Sequence, residues 1–263
     1  MTEVPAQRPQ GAPCWVSLLV RSLPAAQEFY GGLFGWRFQP GPTHFGPYAR
    51  AVLDGRLVAG IGESPRRLGQ PVAWTTYLST ADADAAAETI RVSGGTVAVG
   101  PLDADGEAGR MVIAADPSGA SFGVWQPKGH TGVGVTGVPG TLAWNELVTR
   151  EADVTAFYGA AFGFEADAPV PADDGSGSPA QDVTLRLGGR PVAGLHAVGA
   201  ALPRARGARW TTWFEVADTD AAVERAGALG GRVLRAAHEV KRGRIAELAD
   251  PQGAAFTVVR SNG

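Results

Sequence analysis

The stretch "ADPSGASFGVWQ" occupies positions 115–126, and a similar stretch, "ADPQGAAFTVVR", occupies positions 249–260. Each begins with an Asp-Pro-x-Gly tetrapeptide, which has the residues of a type I turn in the favoured order. An apolar run typical of a β-strand follows each turn. The sequence therefore predicts the same turn and strand near the end of each half of the chain.

Three further pairs of segments repeat in the same order along the chain. "FYGGLFGW" from Phe29 recurs as "FYGAAFGF" from Phe157, "LVAGIG" from Leu57 as "PVAGLH" from Pro191, and "TTYLSTADADAA" from Thr75 as "TTWFEVADTDAA" from Thr211. Four matched blocks in one order indicate a tandem duplication. We expect one module at residues 14–126 and a second at residues 143–260, joined by the Gly-rich linker 127–142.

Within each module the strand and helix patterns read β-α-β-β-β and then the same again. Ser22 is a suitable N-cap for the first helix, and Gly35 stands where a left-handed C-cap residue is expected. Asp54-Gly55, between two apolar runs, predicts a β-hairpin. The predicted fold class is α+β, with two tandem βαβββ modules whose mixed sheets curve around a cleft.

Composition excludes several functional classes. The net charge of −3 gives no electrostatic footprint for nucleic acid, and no apolar run approaches the ~20 residues of a membrane span. The single cysteine, Cys14, fits a reducing compartment, and "MTEVPAQRPQGAP" lacks the features of a secretory signal. We expect a cytoplasmic monomer or homodimer that binds a small molecule and contacts neither nucleic acid nor membrane.

The segments "LPAAQEFYGGLFGW", "TADADAAAETIRVSGG" and "ADPSGASFGVW", each with its counterpart, resemble the vicinal oxygen chelate superfamily. That superfamily includes glyoxalases, bleomycin-resistance proteins and extradiol dioxygenases, and the likeness is greatest to two-module actinobacterial members. The resemblance implies paired βαβββ modules around an open cleft. It also implies a divalent metal held by His, Gln or Glu side chains at set strand positions.

The positions that the resemblance assigns to metal ligands hold other residue types here. They are Trp15, Thr75, Gly123, Trp144, Thr211 and Thr257. Indole and glycine offer no lone pair to a divalent ion, and a threonine hydroxyl is a poor sole ligand. We therefore predict no metal site and no cofactor.

Strand alternation assigns side chains to the cavity or to the core. The side chains that alternation and the resemblance place at the cavity are Trp15, Ser17, Tyr77, Gly123, Trp125, Trp144, Trp213 and Thr257. Large rings with Gly123 as a space between them suit a flat apolar ligand. The alternative is that the rings fill the interface between the modules.

Two ionisable residues are candidate catalytic groups. Glu146 interrupts the apolar strand "LAWNELV", where burial would raise its pKa and allow general acid or base chemistry. The alternative for Glu146 is a structural pair with an arginine such as Arg110 or Arg244, or a hydrogen bond to the backbone. His196 shares the cavity face or is a hydrogen-bonded edge residue. The remaining histidines are expected in solvated loops, at His44, His130 and His238.

Several functions stay open from the sequence. The first is metal-free binding of a hydrophobic or aromatic metabolite or antibiotic, for sequestration or sensing. The second is a metal-independent cyclase, isomerase or lyase of secondary metabolism with Glu146 as acid or base. A metal-dependent glyoxalase or dioxygenase, and an interaction protein with a degenerate cavity, are the less favoured alternatives. Whether the protein is an enzyme is left open.

Overall fold

A computed structural model describes residues 2–3, 8–43, 46–64, 72–104, 108–172, 179–202 and 207–262. His44, expected in a solvated loop, lies outside the described residues. Two large mixed sheets dominate the fold, one in each half of the chain. Neither closes into a barrel, and the predicted fold class is confirmed. Across the described ranges, no helix is long and apolar enough to cross a membrane.

The first sheet has eight strands in the spatial order β3-β4-β5-β2-β6-β9-β8-β7. Two pairs, β2–β5 and β6–β9, are parallel. In chain order the elements of this half are β2 (Pro13–Val20), α1 (Leu23–Phe34), β3 (Arg37–Pro40), β4 (Tyr48–Leu53), β5 (Arg56–Glu63), β6 (Ala73–Ser79), α2 (Ala83–Val92), β7 (Thr96–Ala104), β8 (Gly109–Ala115) and β9 (Ser121–Pro127). The unit β-α-β-β-β thus occurs twice within this half.

The second sheet repeats this arrangement, in the order β12-β14-β15-β11-β16-β19-β18-β17, with β13 also paired to β14. Its elements are β11 (Leu142–Thr149), α3 (Thr155–Phe162), β12 (Glu165–Ala166), β13 (Val170–Ala172), β14 (Ala180–Leu187), β15 (Arg190–Ala197), β16 (Arg209–Glu215), α4 (Thr219–Ala228), β17 (Arg232–Val240), β18 (Gly243–Ala249) and β19 (Ala255–Ser261). Short 3-10 turns lie at Ala152–Val154 and Gly199–Ala201.

Local sequence signals set the element boundaries as predicted. The Ser22 hydroxyl accepts a hydrogen bond from the Ala25 amide at the start of α1. Gly35 ends that helix with φ of 73°, a left-handed conformation that glycine adopts without steric cost. Asp54 and Gly55 form the turn between β4 and β5. The hairpin brings the residues of β4 onto the sheet face that bears the cavity.

The segment between the two sheets packs along the first half. Its short strand β10 (Val135–Thr136) pairs with β1 (Thr2–Glu3) at the start of the chain. The Val133 amide donates to the Cys14 carbonyl, and the Gly134 amide donates to the Leu57 carbonyl. Earlier in this segment, the His130 amide donates to the Ala108 carbonyl at 3.0 Å, which holds His130 next to the start of β8.

The first helix of each half packs against the other half. Phe29, Tyr30 and Phe34 of α1 share a core with Phe214 and Phe256 of the second sheet. In the corresponding core, aromatic residues of α3 pack on Phe122 of the first sheet. The aromatic core therefore lies between the halves rather than inside either one.

The repeated Asp-Pro-x-Gly turn explains this cross-packing. Asp116 accepts hydrogen bonds within its own turn from Ser118 and Ala120, and its second carboxylate oxygen accepts one from the Tyr158 hydroxyl, 2.9 Å away in the other half. Trp210 in turn donates to the Tyr158 hydroxyl oxygen at 2.8 Å. Each buried polar atom of this hydrogen-bonded series thus has a partner.

An equivalent series of hydrogen bonds occurs with the two halves exchanged. Asp250 accepts hydrogen bonds from Gln252 and Ala254 in its turn and from the Tyr30 hydroxyl of the first half at 3.1 Å. Trp74 donates to Tyr30 at 3.1 Å. We call these two Trp-Tyr-Asp chains the cross-half locks. Each lock joins the Asp-Pro-x-Gly turn of one half to the "FYG" helix of the other half.

Candidate functional site

A cavity of about 450 Å³ opens on the first sheet, on the face opposite the aromatic core. Its walls come from strands β2 and β4 to β9, from the residues just before β4, and from the segment that follows β9. Apolar side chains predominate on these walls. Three of them, Leu102, Met111 and Ile113, project from β7 and β8.

Four of the predicted cavity residues line this space. They are Trp15, Ser17, Tyr77 and Trp125. Gly123 lies directly opposite Tyr77 in the parallel pair β6–β9, and a Cβ atom at Gly123 would overlap the Tyr77 ring. The glycine thus leaves space for that ring rather than for a ligand.

Tyr48 is a cavity residue that the sequence analysis missed. Its hydroxyl oxygen lies 3.3 Å from the Trp15 indole nitrogen, which donates to it, and 3.2 Å from the Ser17 hydroxyl. A Cβ atom at Gly60, on the neighbouring strand, would overlap the Tyr48 hydroxyl. Burial raises the pKa of Tyr48, and the Ser17 and Trp15 hydrogen bonds and the Arg50 charge oppose that rise. The alternation of "YARAVL" before the hairpin signal is the pattern that could have found it.

His130 is a second missed residue, and its predicted solvated position is wrong. Its imidazole lies 4.4 Å from the Trp15 ring, centre to centre and nearly perpendicular, and 5.6 Å from the Trp125 ring. The Trp125 indole donates to the His130 carbonyl at 2.7 Å. Burial and the Arg50 charge lower the pKa of His130 to about 4. At neutral pH the cavity therefore has an uncharged imidazole on its wall.

Two charged side chains reach the cavity wall, Arg50 and Glu63. The Glu63 carboxylate accepts a hydrogen bond from the Leu23 amide at 2.8 Å, at the first turn of α1. Arg50 lies two residues after Tyr48 on β4, and therefore on the same face of the sheet, and it pairs with Gly60 of β5. Cys14 lies behind the wall, where its thiol donates to the Tyr77 carbonyl and burial raises its pKa to about 12. A thiol with so high a pKa is not a nucleophile at neutral pH.

The predicted residues of the second half do not line this cavity. Trp144, Glu146, Trp213, Thr257 and His196 lie on the corresponding face of the second sheet. Strand pairing makes Trp144 the counterpart of Trp15, and Glu146 the counterpart of Ser17. The structure thus divides the predicted site residues into two groups, one on each sheet.

Trp144 and Trp213 are covered by neighbouring side chains. The Arg242 guanidinium stacks on the Trp144 ring, 3.3 Å from its centre. Trp213 packs in a small cluster with Ile245 and Val259. These two rings pack within the second half, so they neither line the cavity nor fill the interface between the modules. The Trp144 indole nitrogen is buried and has no hydrogen-bond partner in the part of the chain that the structure describes.

Glu146 is partly buried next to that indole nitrogen. A Cβ atom at Gly194 would lie 2.9 Å from the Trp144 nitrogen and 3.2 Å from a Glu146 carboxylate oxygen, so the glycine leaves space for both. Burial raises the pKa of Glu146 to about 7; nearby His196 and Arg242 oppose the rise, whereas Asp182 and Glu247 add to it.

The expected arginine partners of Glu146 are engaged elsewhere. Arg110 pairs with Asp84 and Asp103, and Arg244 pairs with Asp220 and Glu239. Neither named arginine is therefore the partner of Glu146, whereas Arg242 is the arginine whose charge acts on it.

The remaining histidines are also placed. The His196 Nδ1 atom lies 2.6 Å from an Asp182 carboxylate oxygen, so His196 belongs to a hydrogen-bonded pair on the same face as Glu146. His238, expected in a loop, is instead part of β17, where its Nδ1 atom lies 2.9 Å from the Ala236 carbonyl oxygen.

The positions at which the superfamily resemblance implies a metal do not fit one. They hold two tryptophans, three threonines and a glycine. Over the described residues, no group of three or more His, Cys, Asp or Glu side chains is placed to hold a metal ion. We therefore derive no chemistry through a metal.

Comparison with known proteins identifies the family. The profile of a glyoxalase-like domain matches residues 147–259. The anthracycline biosynthesis protein DauV of Streptomyces sp. (strain C5) is 39% identical over 95% of this chain and 93% of its own. The chain belongs to the vicinal oxygen chelate superfamily.

Other members of this superfamily match over nearly the whole chain. The anthracycline biosynthesis protein DnrV of Streptomyces peucetius is 39% identical, again over 95% of this chain and 93% of its own. CFP32 of Mycobacterium bovis is 36% identical over 95% of both chains. The relatives are thus matched through both halves and not only through the glyoxalase-like profile.

Solved structures of the superfamily share the fold at low identity. The 2,3-dioxygenase LapB of Pseudomonas sp. KL28 superposes with a TM-score of 0.67 at 17% identity, covering 97% of this chain and 94% of its own. The Mn(II)-bound glyoxalase of Novosphingobium aromaticivorans superposes with a TM-score of 0.64 at 14% identity, covering 95% and 82%. At these identities the likeness extends to the fold alone.

Proposed function

We propose that this superfamily member binds a flat, largely apolar aromatic small molecule of secondary metabolism in the cavity of the first half. The observation that carries the proposal is the cavity itself, whose walls include Trp15, Tyr77 and Trp125. Its volume of about 450 Å³ lies in the range of small-molecule sites. Aromatic rings around such a space favour a ligand that stacks and buries apolar area.

The names of two relatives support the choice of ligand class. DauV and DnrV are described as anthracycline biosynthesis proteins. An anthracycline has a flat polycyclic core, which has the shape and polarity that the cavity would accept. We propose that binding needs no metal, because the residues at the family's ligand positions are not metal ligands.

Tryptophan fluorescence titration tests this proposal. Purified protein is titrated with a panel of anthraquinones and anthracyclines, in the presence and absence of a chelator. We expect saturable quenching that the chelator leaves unchanged. Trp15→Leu should weaken binding roughly 10-fold by removing a stacking wall, whereas the matched variant Trp144→Leu should not. No quenching by any compound, or equal effects of the two variants, contradicts the proposal.

A second candidate is a metal-independent cyclase, isomerase or lyase in which Glu146 is the acid or base. Two observations favour it: the pKa of Glu146 is raised to about 7, and the unpaired Trp144 indole nitrogen lies beside its carboxylate. A group with a pKa near neutrality can both accept and donate a proton. His196, paired with Asp182, is the other ionisable candidate on this face.

Turnover of the bound polycyclic compounds, followed by mass spectrometry, separates the two candidates. If the second is correct, Glu146→Gln abolishes most turnover and leaves cavity binding unchanged. Product formation at the wild-type rate by Glu146→Gln contradicts a role for this carboxyl group, and an absence of product from the wild type leaves binding as the function.

The proposal includes where and how the protein works. We place the protein in the cytoplasm, because its one cysteine is a free thiol. We also propose that it is a monomer or homodimer. We also propose residues 14–126 and 143–260 as the two modules. Sedimentation of the full chain measures its oligomeric state, and fractionation of host cells measures its compartment.

A further inference from the structure

Resting on the proposed function, we propose that the ligand is an anion, and that Arg50 binds its carboxylate or phenolate group at one end of the cavity. Arg50 lies on the cavity wall, on the strand that also carries Tyr48. Its neighbour across the β4–β5 pair is Gly60, and the Tyr48 hydroxyl fills the space over that glycine. Arg50 is half-buried at this wall.

Arg50 has no counter-ion among the residues that the structure describes. Across the described parts of the chain, it forms no ion pair and no hydrogen bond through its side chain. The other charged wall residue, Glu63, directs its carboxylate to the Leu23 amide. A partly buried cation without a partner has lost hydration that no protein group replaces, and an anionic ligand group would replace it.

The groups around Arg50 fit the same ligand chemistry. His130 is uncharged at neutral pH, so it adds a hydrogen-bonding group without a competing charge. The Tyr48 hydroxyl lies between Trp15 and Ser17 and is held in place by both. The cavity lining thus includes a polar group around the Arg50 charge, which acts on both Tyr48 and His130, and an apolar group formed by Leu102, Met111 and Ile113.

The second half shows that the duplication did not require this arginine. The residue paired with Gly194, at the position equivalent to Arg50, is Thr184. Thr184 adds no charge to a face that already has Arg242. The cation is therefore a property of the half that has the cavity, which is where an anionic ligand would need it.

A pair of probes that differ in charge tests the inference on the full chain. The probes are anthraquinone-2-carboxylate and its uncharged analogue anthraquinone-2-carboxamide, titrated by tryptophan quenching and by calorimetry. The wild type should bind the carboxylate more tightly. Arg50→Gln should weaken carboxylate binding roughly 10- to 100-fold, the range for a charge-assisted hydrogen bond, and change carboxamide binding less than about 3-fold.

Two further variants serve as controls. Arg50→Lys keeps the charge and should retain part of the preference for the carboxylate. Arg190→Gln removes an exposed arginine of the second half and should behave as the wild type. If the wild type binds both probes equally and Arg50→Gln changes neither, the inference is overturned while the proposed binding function stands. If no aromatic compound binds the wild type, both are overturned.

Discussion

The two halves share one arrangement of strands but carry opposite chemistry on their concave faces. Around Gly60 the first half has Tyr48, Ser17 and Trp15, which enclose an aromatic cavity. At the equivalent positions the second half has Asp182, Glu146 and Trp144, and Arg242 covers the indole. His196 stands where the first half has Gly62. The duplicated sheet thus yields a cavity in one copy and a cluster of charges in the other.

The comparison separates what the fold needs from what the site needs. Both halves keep the Trp-Tyr-Asp cross-half lock, with hydrogen bonds of 2.8–3.1 Å in the two copies. The locks bury their polar atoms between the halves, so a substitution in either lock leaves a buried polar group without a partner and lowers the stability. The concave faces have no such shared task, and their residues have diverged.

The largest expected effect comes from breaking the feature that the halves share. Asp116→Ala removes the acceptor for Ser118, Ala120 and Tyr158 and leaves these groups without a partner. We expect a loss of about 3–5 kcal/mol in the free energy of unfolding, measured by denaturant titration. Asp250→Ala should cost a similar amount in the other lock.

Tyr158→Phe is the comparison for that measurement, because it removes both hydrogen bonds of the Tyr158 hydroxyl and leaves the Asp116 turn intact. It should cost about 2 kcal/mol. If Asp116→Ala and Tyr158→Phe each cost less than about 1 kcal/mol, the lock contributes little and the halves are held by apolar packing alone.

An exchange of equivalent residues sharpens the comparison of the two faces. Gly123→Thr places in the first half the residue type found at Thr257 in the second. The new Cβ atom overlaps the Tyr77 ring, so we expect a loss of about 2–3 kcal/mol in unfolding free energy and weaker ligand binding. The reciprocal Thr257→Gly should cost only about 1 kcal/mol and leave binding unchanged. Equal effects on binding would show that the cavity does not depend on the position of Tyr77.

Glu146 makes the folding stability fall as the pH rises from about 4.5 to about 7. Its pKa in the folded protein is about 7, above the ordinary value of 4.5. As the pH rises between these values the unfolded chain releases the proton first, so folding stability falls with pH. Glu146→Gln should remove this slope and be more stable than the wild type by about 2 kcal/mol at pH 8, with little difference at pH 4.

His130 gives the first face the opposite dependence. Its folded pKa is about 4, below the ordinary 6.5, so the unfolded chain binds a proton first as the pH falls. Stability should decrease from pH 6.5 towards pH 4, and His130→Gln should flatten this limb. Glu224→Gln, an exposed change on α4, is the control for both. Identical pH profiles for all three variants and the wild type would contradict the assignment of these slopes.

The smallest expected effect concerns the cover on the second face. Arg242→Ala removes the stacked guanidinium from Trp144 and should cost about 0.5–1 kcal/mol in unfolding free energy. It should also increase quenching of tryptophan fluorescence by acrylamide, because the Trp144 ring is uncovered. Lys241→Ala, at the neighbouring exposed position, should change neither quantity. Unchanged quenching in Arg242→Ala would mean that other groups shield the ring.

The sequence predicts the parts of this architecture that depend on local pattern. The repeated blocks specify paired halves, and strand alternation brings Trp15, Ser17 and Tyr77 to one wall, because side chains alternate whatever the tertiary context. It does not predict that the aromatic cavity described above lies on the first half. That depends on how Tyr48 crosses Gly60 and on the position of His130, which the path of the linker determines. Nor does pattern show that the two Asp-Pro-x-Gly turns bind tyrosines of the opposite half, since that contact joins distant segments.

The cross-half locks also bear on how two unlike faces arose. A protein made of a single half could complete both locks by pairing with a second copy of itself, since each half supplies one tyrosine and one aspartate. In such a dimer every substitution would appear on both faces at once. Fusion into one chain removes that symmetry, so an arginine could enter one face and a glutamate the other without either change being repeated.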